Sequence, residues 1–318
     1  MSYRFGAMQT VINVALPVFA IMLAGFLAGR FRLLSGGAAE AINQYVYWFA
    51  LPAVLFIGLA RAPFGDVLNI SFLCVFTGST LFIYVLGWLI GAFHKKAGSD
   101  LHAQQALTAS FSNTGYMGIP IFIAAWGPDR AMPAIVATVV VSSIMVGIAV
   151  TAQELTGKVG DPKDALKDVS KALLTNPLII SAVLGLVWSA FRLPTPAALT
   201  NFFTLSAGSA GPCALFAIGL FLAGRPLQFD LRDLGWIVGL KLFVHPAISW
   251  ILIMTLFPLD HFWTGAALLL SALPTGSLTF VMAQRYSVNV EQTSQVIFVS
   301  TLLSLPLLAG LLATFAKG

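Results

Sequence analysis

The chain has 318 residues, of which 58% are hydrophobic and 9% charged, and its mean hydropathy is +0.90. Soluble domains carry roughly a quarter charged residues. A soluble domain this apolar would expose large greasy patches and aggregate, so a soluble enzyme is excluded and the bilayer is the natural solvent. The formal net charge of +5 sits in short loops beside apolar segments, which is the pattern of membrane topology and headgroup contact; no nucleic-acid-binding motif accompanies it.

In chain order the apolar segments are Val11–Ala28, Ala41–Ala60, Phe72–Phe93, Ala103–Trp126 and Met132–Ala152, then Leu173–Phe191, Ala197–Ala223, Leu234–Phe257, Phe262–Ala283 and Val296–Phe315. Each is close to the ~20 residues that a spanning helix needs, and none shows the alternating polarity of barrel strands. The first exceeds an ordinary signal-peptide core and ends in Gly29-Arg30-Phe31-Arg32, so it is read as a mature span. The longest loop, Gln153–Thr175, places Lys163, Lys167 and Lys171 four apart while Leu166, Val169 and Leu173 share a side, predicting a short interfacial helix.

Lys and Arg counts orient the chain. Arg4, Arg61, Arg130, Arg192 and Lys317 fall on one side. Arg30, Arg32, Lys95, Lys96, Lys158, Lys163, Lys167, Lys171, Arg225, Arg232 and Arg285 fall on the other, which is read as cytoplasmic, with both termini outside. Cys74 and Cys213 lie inside apolar runs and imply neither a disulfide framework nor a metal site. The run Ser206-Ala207-Gly208-Ser209-Ala210-Gly211 lacks the spacing of a nucleophile elbow, and neither a P-loop nor a zinc-protease motif occurs. No catalytic residue, metal or cofactor is expected.

An internal repeat organises the segments. At an offset of 160, Pro17 matches Pro177, Gly25 matches Gly185, Phe31-Arg32-Leu33 matches Phe191-Arg192-Leu193, and Pro52-x-x-Leu55-Phe56 matches Pro212-x-x-Leu215-Phe216. At 161, Ser110 matches Ser271 and Thr114-Gly115 matches Thr275-Gly276. Each half holds five spans. Because five is odd, the second half enters from the opposite side, giving the inverted repeat of many secondary transporters.

The fourth segment is interrupted by Ser110-Phe111-Ser112-Asn113-Thr114-Gly115-Tyr116-Met117-Gly118-Ile119-Pro120, and the ninth by Ser271-Ala272-Leu273-Pro274-Thr275-Gly276-Ser277-Leu278-Thr279. Pro120 and Pro274 remove amide donors and crowd the carbonyls of Tyr116 and Leu270. Gly115, Gly118 and Gly276 permit unwound backbone. Such backbone at membrane depth must be buried or line a polar cavity, and paired breaks point to a transport site. Pro17 and Pro177 read as kinks, whereas Pro52 and Pro212 suit either a kink or a site-lining bend. A broken helix offers an N-terminus that favours an anion and carbonyls that favour a cation. Asn113 has two roles open to it: hydrogen-bonding a carboxylate, or capping its own broken helix. Thr114, Thr275 and Ser277 share that choice between ligand and local backbone.

Lys241 and His245 lie four apart on one face of the eighth segment, with Pro246 following. Ionisable groups inside a membrane are functional candidates; Lys241 either snorkels to the interface or serves an anion or a proton, and His245 is a titratable neighbour or a hydrogen-bonded structural one. No Asp or Glu lies mid-span, so the carboxylate pair of a cation/proton antiporter is missing. Sodium binding through carbonyls, hydroxyls and amides stays open.

The run Asn113-Thr114-Gly115-Tyr116-Met117-Gly118-Ile119-Pro120 resembles the fourth-span signature of the auxin efflux carrier family. Lys241 with Pro246, and Leu273-Pro274-Thr275-Gly276, resemble its eighth- and ninth-span features, and the resemblance covers essentially the whole chain. Lacking the long central loop of many plant carriers, the chain is similar to a bacterial member. The resemblance implies a fold like that of bile acid/sodium symporters, a scaffold of spans 1, 2, 6 and 7, and a mobile core of spans 3–5 and 8–10. It also implies spans 4 and 9 crossing at their broken centres, a homodimer and elevator-type alternating access. Implied substrates are organic anions, either indole-3-acetate or dicarboxylates such as malate and malonate, with Asn113 on the carboxylate and the breaks at Pro120 and Pro274 supplying dipoles. Plant carriers place an acidic residue in a support site of the core, and the third span here has none.

The expectation is therefore an all-α membrane protein of ten transmembrane helices arranged as two inverted five-helix repeats, about 9–155 and about 173–316, with broken crossing helices 4 and 9. It is a single transporter unit over residues 1–318 of a bacterial inner membrane, contacting lipid, and it exports small organic carboxylates. The substrate site would comprise Asn113, Thr114, Gly115, Tyr116, Pro120, Pro274, Thr275, Gly276 and Ser277, with Lys241 and His245 as charge or coupling groups. The rivals are a sodium-coupled organic anion importer, a passive anion channel, and a receptor or membrane enzyme that binds or converts its ligand without moving it.

Overall fold

The computed structural model of the chain describes residues 16–35, 37–61, 69–94, 98–156, 167, 170–171, 173–224 and 231–315. Among these the protein is helical, without a strand longer than an isolated bridge. The helices are α1 Leu16–Arg30, α2 Ala38–Arg61, α3 Ile70–His94, α4 Ser99–Ser110, α5 Thr114–Trp126, α6 Met132–Ala152 and α7 Pro177–Ala190. They continue with α8 Ala197–Ala223, α9 Leu234–Thr255, α10 His261–Ser271, α11 Leu278–Tyr286 and α12 Val290–Phe315. Six of them, α2, α3, α6, α8, α9 and α12, are long and apolar enough to cross a membrane; α1, α5 and α7 are shorter apolar helices.

Local chemistry sets the boundaries. Asn176 accepts the Leu178 amide at 2.9 Å ahead of Pro177, and Asp260 accepts the Trp263 amide at 2.9 Å to open α10. Gly127, at φ +85°, makes the turn from α5 into α6. Helix α12 begins at Val290, six residues before the apolar run. Its first turns are polar and bond to glutamines of α4: Gln105 Nε2 donates to Gln292 Oε1 at 3.0 Å, and Gln104 Nε2, which donates to the Thr279 carbonyl of α11 at 2.9 Å, also reaches toward Thr293 Oγ1 at 3.4 Å.

Two groups of helices pack among themselves. In the first, α8 lies along α1 and contacts α2, and α7 lies along α2. The approach is backbone-close: a Cβ on Gly219 would stand 2.0 Å from the Met22 carbonyl oxygen, one on Gly25 2.1 Å from that of Phe216, and one on Gly185 2.8 Å from that of Phe56. Small residues allow this contact, which dispersion rewards where lipid removes the hydrophobic drive. In the second group α3 packs on α4 and α9, α9 on α10, and α12 on α10 and α11. The segments α5 and α6 touch both groups, α5 reaching the second through Trp126 against Phe262 of α10. The outer surface carries Trp48, Phe49, Phe82, Phe93, Phe202, Leu205 and Phe243, all exposed, as a lipid-facing surface requires.

Arg4, Lys95, Lys96, Lys158, Lys163, Arg225 and Lys317 of the charge count lie outside the described residues, as do Leu166 and Val169 of the expected interfacial helix.

Candidate functional site

The fourth and ninth segments are interrupted where expected, and the interruptions meet. Helix α4 ends at Ser110, Phe111 turns extended at φ −75°, ψ 104°, and Asn113 sits at φ −78°, ψ 56° before α5 begins. Ser112 and Thr275 form an antiparallel bridge. The Asn113 amide donates to the Pro274 carbonyl at 3.0 Å, and the Gly276 amide to the Phe111 carbonyl at 3.0 Å. Thr275 is committed on both sides: its hydroxyl donates to the Thr108 carbonyl at 2.9 Å and its amide to Ser300 Oγ at 3.2 Å. Gly276 is required by proximity, since a Cβ there would stand 2.8 Å from Phe111 Cδ1. Two helix C-termini, of α4 and α10, and two N-termini, of α5 and α11, converge on this short ladder.

The break in the fourth segment lies at residues 111–113, several residues ahead of Pro120. Pro120 lies inside the continuous helix Thr114–Trp126, directly after its wide first turn, and such a wide turn is one way a helix accommodates a proline. The turn Thr114–Gly118 between them is wide, with the Gly118 amide reaching the Asn113 carbonyl at 3.0 Å. Pro274, by contrast, sits in the unwound stretch itself and supplies a carbonyl to it.

The side chains at the break divide sharply. Asn113 is 5% exposed and makes no capping bond, so its amide is uncommitted. On either side of it, Ser112 Oγ and Thr114 Oγ1 are buried without a hydrogen-bond partner. Two hydroxyls flanking Asn113 are thus unpaired in the interior, where an unmade bond costs ~1–3 kcal/mol each. Tyr116 Oη donates to the Asn43 carbonyl of α2 at 3.3 Å, tying α5 to the first helix group. Gly115 faces Leu51 and Thr138, and Pro120 faces Gly211 of α8. Ser277 is half-buried one residue before α11.

Lys241 and His245 form a second polar centre within the same bundle. Both are fully buried, so Lys241 does not snorkel. Its Nζ donates to the Ser271 carbonyl, the last residue of α10, at 2.6 Å and lies 3.2 Å from His245 Nδ1. His245 Nε2 is 3.3 Å from Thr80 Oγ1, which itself donates to the Phe76 carbonyl at 2.7 Å. An N–H of Lys241 therefore caps the carbonyl end of α10 three residues before Pro274. Ser112, Thr108, Ser300 and Thr80 belong to these two centres although sequence reasoning did not single them out as site residues; a hydroxyl mid-span was their only signal, and membrane helices carry many.

A lipid-facing helical bundle whose two interrupted segments meet around unpaired polar groups is built as a membrane transporter rather than an enzyme. The chain belongs to the membrane transport protein family, whose family model matches residues 10–312, and this is the auxin efflux carrier family that its motifs resemble. It is 28% identical to the "Putative malonate transporter" of Rhizobium meliloti (strain 1021) over 98% of both chains. It is 26% identical to the uncharacterized transporter YfdV of Escherichia coli (strain K12), covering 92% of this chain and 93% of that one. It is also 25% identical to auxin efflux carrier component 8 of Arabidopsis thaliana, with 93% and 95% covered.

Proposed function

We propose that the protein is a secondary carrier exporting small organic carboxylates, with the substrate carboxylate held at the break by Ser112, Asn113 and Thr114. The observation that carries this reading is the run of three adjacent uncommitted polar groups beside a helix N-terminus. Neutral donors with a helix dipole bind a carboxylate without a fixed charge that would hold it too tightly to release. Thr275 and Gly276 build the ladder on which Asn113 sits, Pro274 supplies its carbonyl, and Gly115, Tyr116, Pro120 and Ser277 shape the surroundings. The names of the Rhizobium and Arabidopsis relatives agree with an organic anion of the malonate or indole-3-acetate kind.

The proposed frame is ten spans in two inverted repeats, α4 with α5 and α10 with α11 being the two broken spans. Reciprocal contacts support it: Gly25 meets Phe216 while Gly185 meets Phe56, and these are the pairs related by the offset of 160. A two-fold axis that exchanges the halves produces such a swap. In this frame α1, α2, α7 and α8 are a scaffold along which the remaining helices move in elevator fashion, in a homodimer of the bacterial inner membrane with both termini outside. Lys241 and His245 are its charge or coupling groups.

The test is labelled counterflow in proteoliposomes with malonate, malate and indole-3-acetate, alongside solid-supported-membrane currents. Saturable exchange of at least one acid is expected. Removing one charge-assisted hydrogen bond is worth ~1.5–3 kcal/mol, so Asn113→Ala should weaken apparent affinity about tenfold or more. Unchanged affinity and rate in a folded Asn113→Ala protein would overturn the assignment.

A further inference from the structure

We infer that the coupling ion of this carrier is a proton, stored as a single charge on the Lys241–His245 pair; this rests on the carrier reading above. The hydrogen bonds fix where protons lie. Thr80 Oγ1 gives its own proton to the Phe76 carbonyl, so toward His245 it can only accept, and Nε2 carries the imidazole hydrogen. His245 Nδ1 is then a lone pair, and Lys241 Nζ is its donor at 3.2 Å. A second N–H of Lys241 holds the Ser271 carbonyl.

This arrangement has a second state of equal hydrogen-bond count. A proton leaves Lys241 Nζ and bonds to His245 Nδ1: one N–H bond breaks, one forms, and the imidazole becomes the cation. The neutral amine keeps an N–H for Ser271 and offers its lone pair to the new Nδ1–H, while Nε2–H still serves Thr80. Only the direction of the Nζ to Nδ1 bond reverses, and the positive charge moves from the carbonyl end of α10 toward α3.

Two positive charges at this spacing would repel without compensation, because among the described residues no carboxylate faces the pair from its neighbours. The α3 helix presents the hydroxyls of Ser79 and Thr80, α9 that of Ser249, which bonds Ser79 Oγ at 3.0 Å, and α10 the Ser271 carbonyl. The helices α4 and α12 also pack on this turn. Their ionisable groups with described surroundings are Asp100, His102 and Glu291, which sit in the first turns at the helix starts. The pair therefore holds at most one proton beyond its neutral forms, and it titrates as a unit rather than as two sites.

The decisive variant is His245→Asn, whose side-chain oxygen can stand in for Nδ1 as acceptor for Lys241 but binds no proton. Reconstituted protein would be assayed for labelled counterflow at equal pH and for substrate accumulation driven by an imposed pH gradient, with sodium replaced by choline throughout. Wild type is expected to accumulate substrate several-fold with the gradient and none without it. The Asn variant is expected to keep counterflow and lose gradient-driven accumulation; Lys241→Gln should lose it too. Gradient-driven accumulation retained by folded His245→Asn overturns the proton store, as does a wild type that exchanges substrate but ignores the pH gradient or requires sodium. Absence of counterflow in wild type for every acid would instead overturn the carrier reading beneath it.

Discussion

Replacing Gly276 by alanine tests whether the ladder between the two interrupted segments holds the site. The new Cβ would stand 2.8 Å from Phe111 Cδ1, 3.0 Å from Cε1 and 3.4 Å from Asn113 Cα. Carbon atoms settle at about 3.5–4.0 Å, so the ring must recede by more than half an ångström. Phe111 is 6% exposed and its carbonyl accepts the Gly276 amide, so ring and backbone move together and carry Asn113 with them. Overpacking of this kind costs ~1–3 kcal/mol. A share of ~1–2 kcal/mol falling on the bound geometry would lower substrate affinity by about 5- to 30-fold. Thermal unfolding of purified protein and substrate titration of counterflow measure the two parts. The matched control is Gly208→Ala, where nothing lies within 4 Å of the added methyl. If Gly276→Ala matches Gly208→Ala in melting temperature and in affinity, the claim that the ladder positions Asn113 is wrong.

Three further substitutions have defined outcomes. Gly219→Ala puts a methyl 2.0 Å from the Met22 carbonyl oxygen and 2.6 Å from the Phe26 amide; it should destabilise by about 3 kcal/mol, read by thermal unfolding, and add less than its full value to Gly25→Ala because both wedge the same pair of helices. Asn176→Ala removes the cap of α7 and should cost ~0.5–2 kcal/mol of stability with unchanged transport affinity. Tyr116→Phe removes the bond to the Asn43 carbonyl of α2; a loss of ~0.5–1.5 kcal/mol should appear as a lower melting temperature and an altered counterflow rate, since the bond joins the two helix groups.

The helices were legible because twenty apolar residues in a row leave little choice in a bilayer, and Met132–Ala152 and Ala197–Ala223 match their expected bounds. The start of α12 was not, because Glu291 to Gln295 are polar, and the α4 glutamines that bond Gln292 and Thr293 lie nearly two hundred residues away. The breaks were legible from Gly, Pro and hydroxyls. Their position was less so: Pro120 marked the fourth segment, yet the chain unwinds earlier, where residues 111–113 pair with Pro274 and Gly276. A helix yields at the point where another chain segment can take over its hydrogen bonds, and that partner is invisible from local sequence.

The same distinction separates the residues of the two breaks. Asn113, Thr114, Thr275 and Ser277 look interchangeable in sequence, each a small polar residue within two positions of a glycine or proline. In the fold Thr275 spends its hydroxyl on Thr108 and its amide on Ser300, whereas Ser112, Asn113 and Thr114 have no such partners. A buried group that is already satisfied adds rigidity and has nothing left for a ligand; a buried group left unsatisfied is a standing cost that a ligand can relieve. The two interrupted segments therefore differ: Thr275 of the ninth is tied into the ladder, whereas Ser112 and Thr114 of the fourth keep unpaired hydroxyls. In the proposed inverted-repeat frame, this asymmetry would leave two like halves presenting one site instead of two.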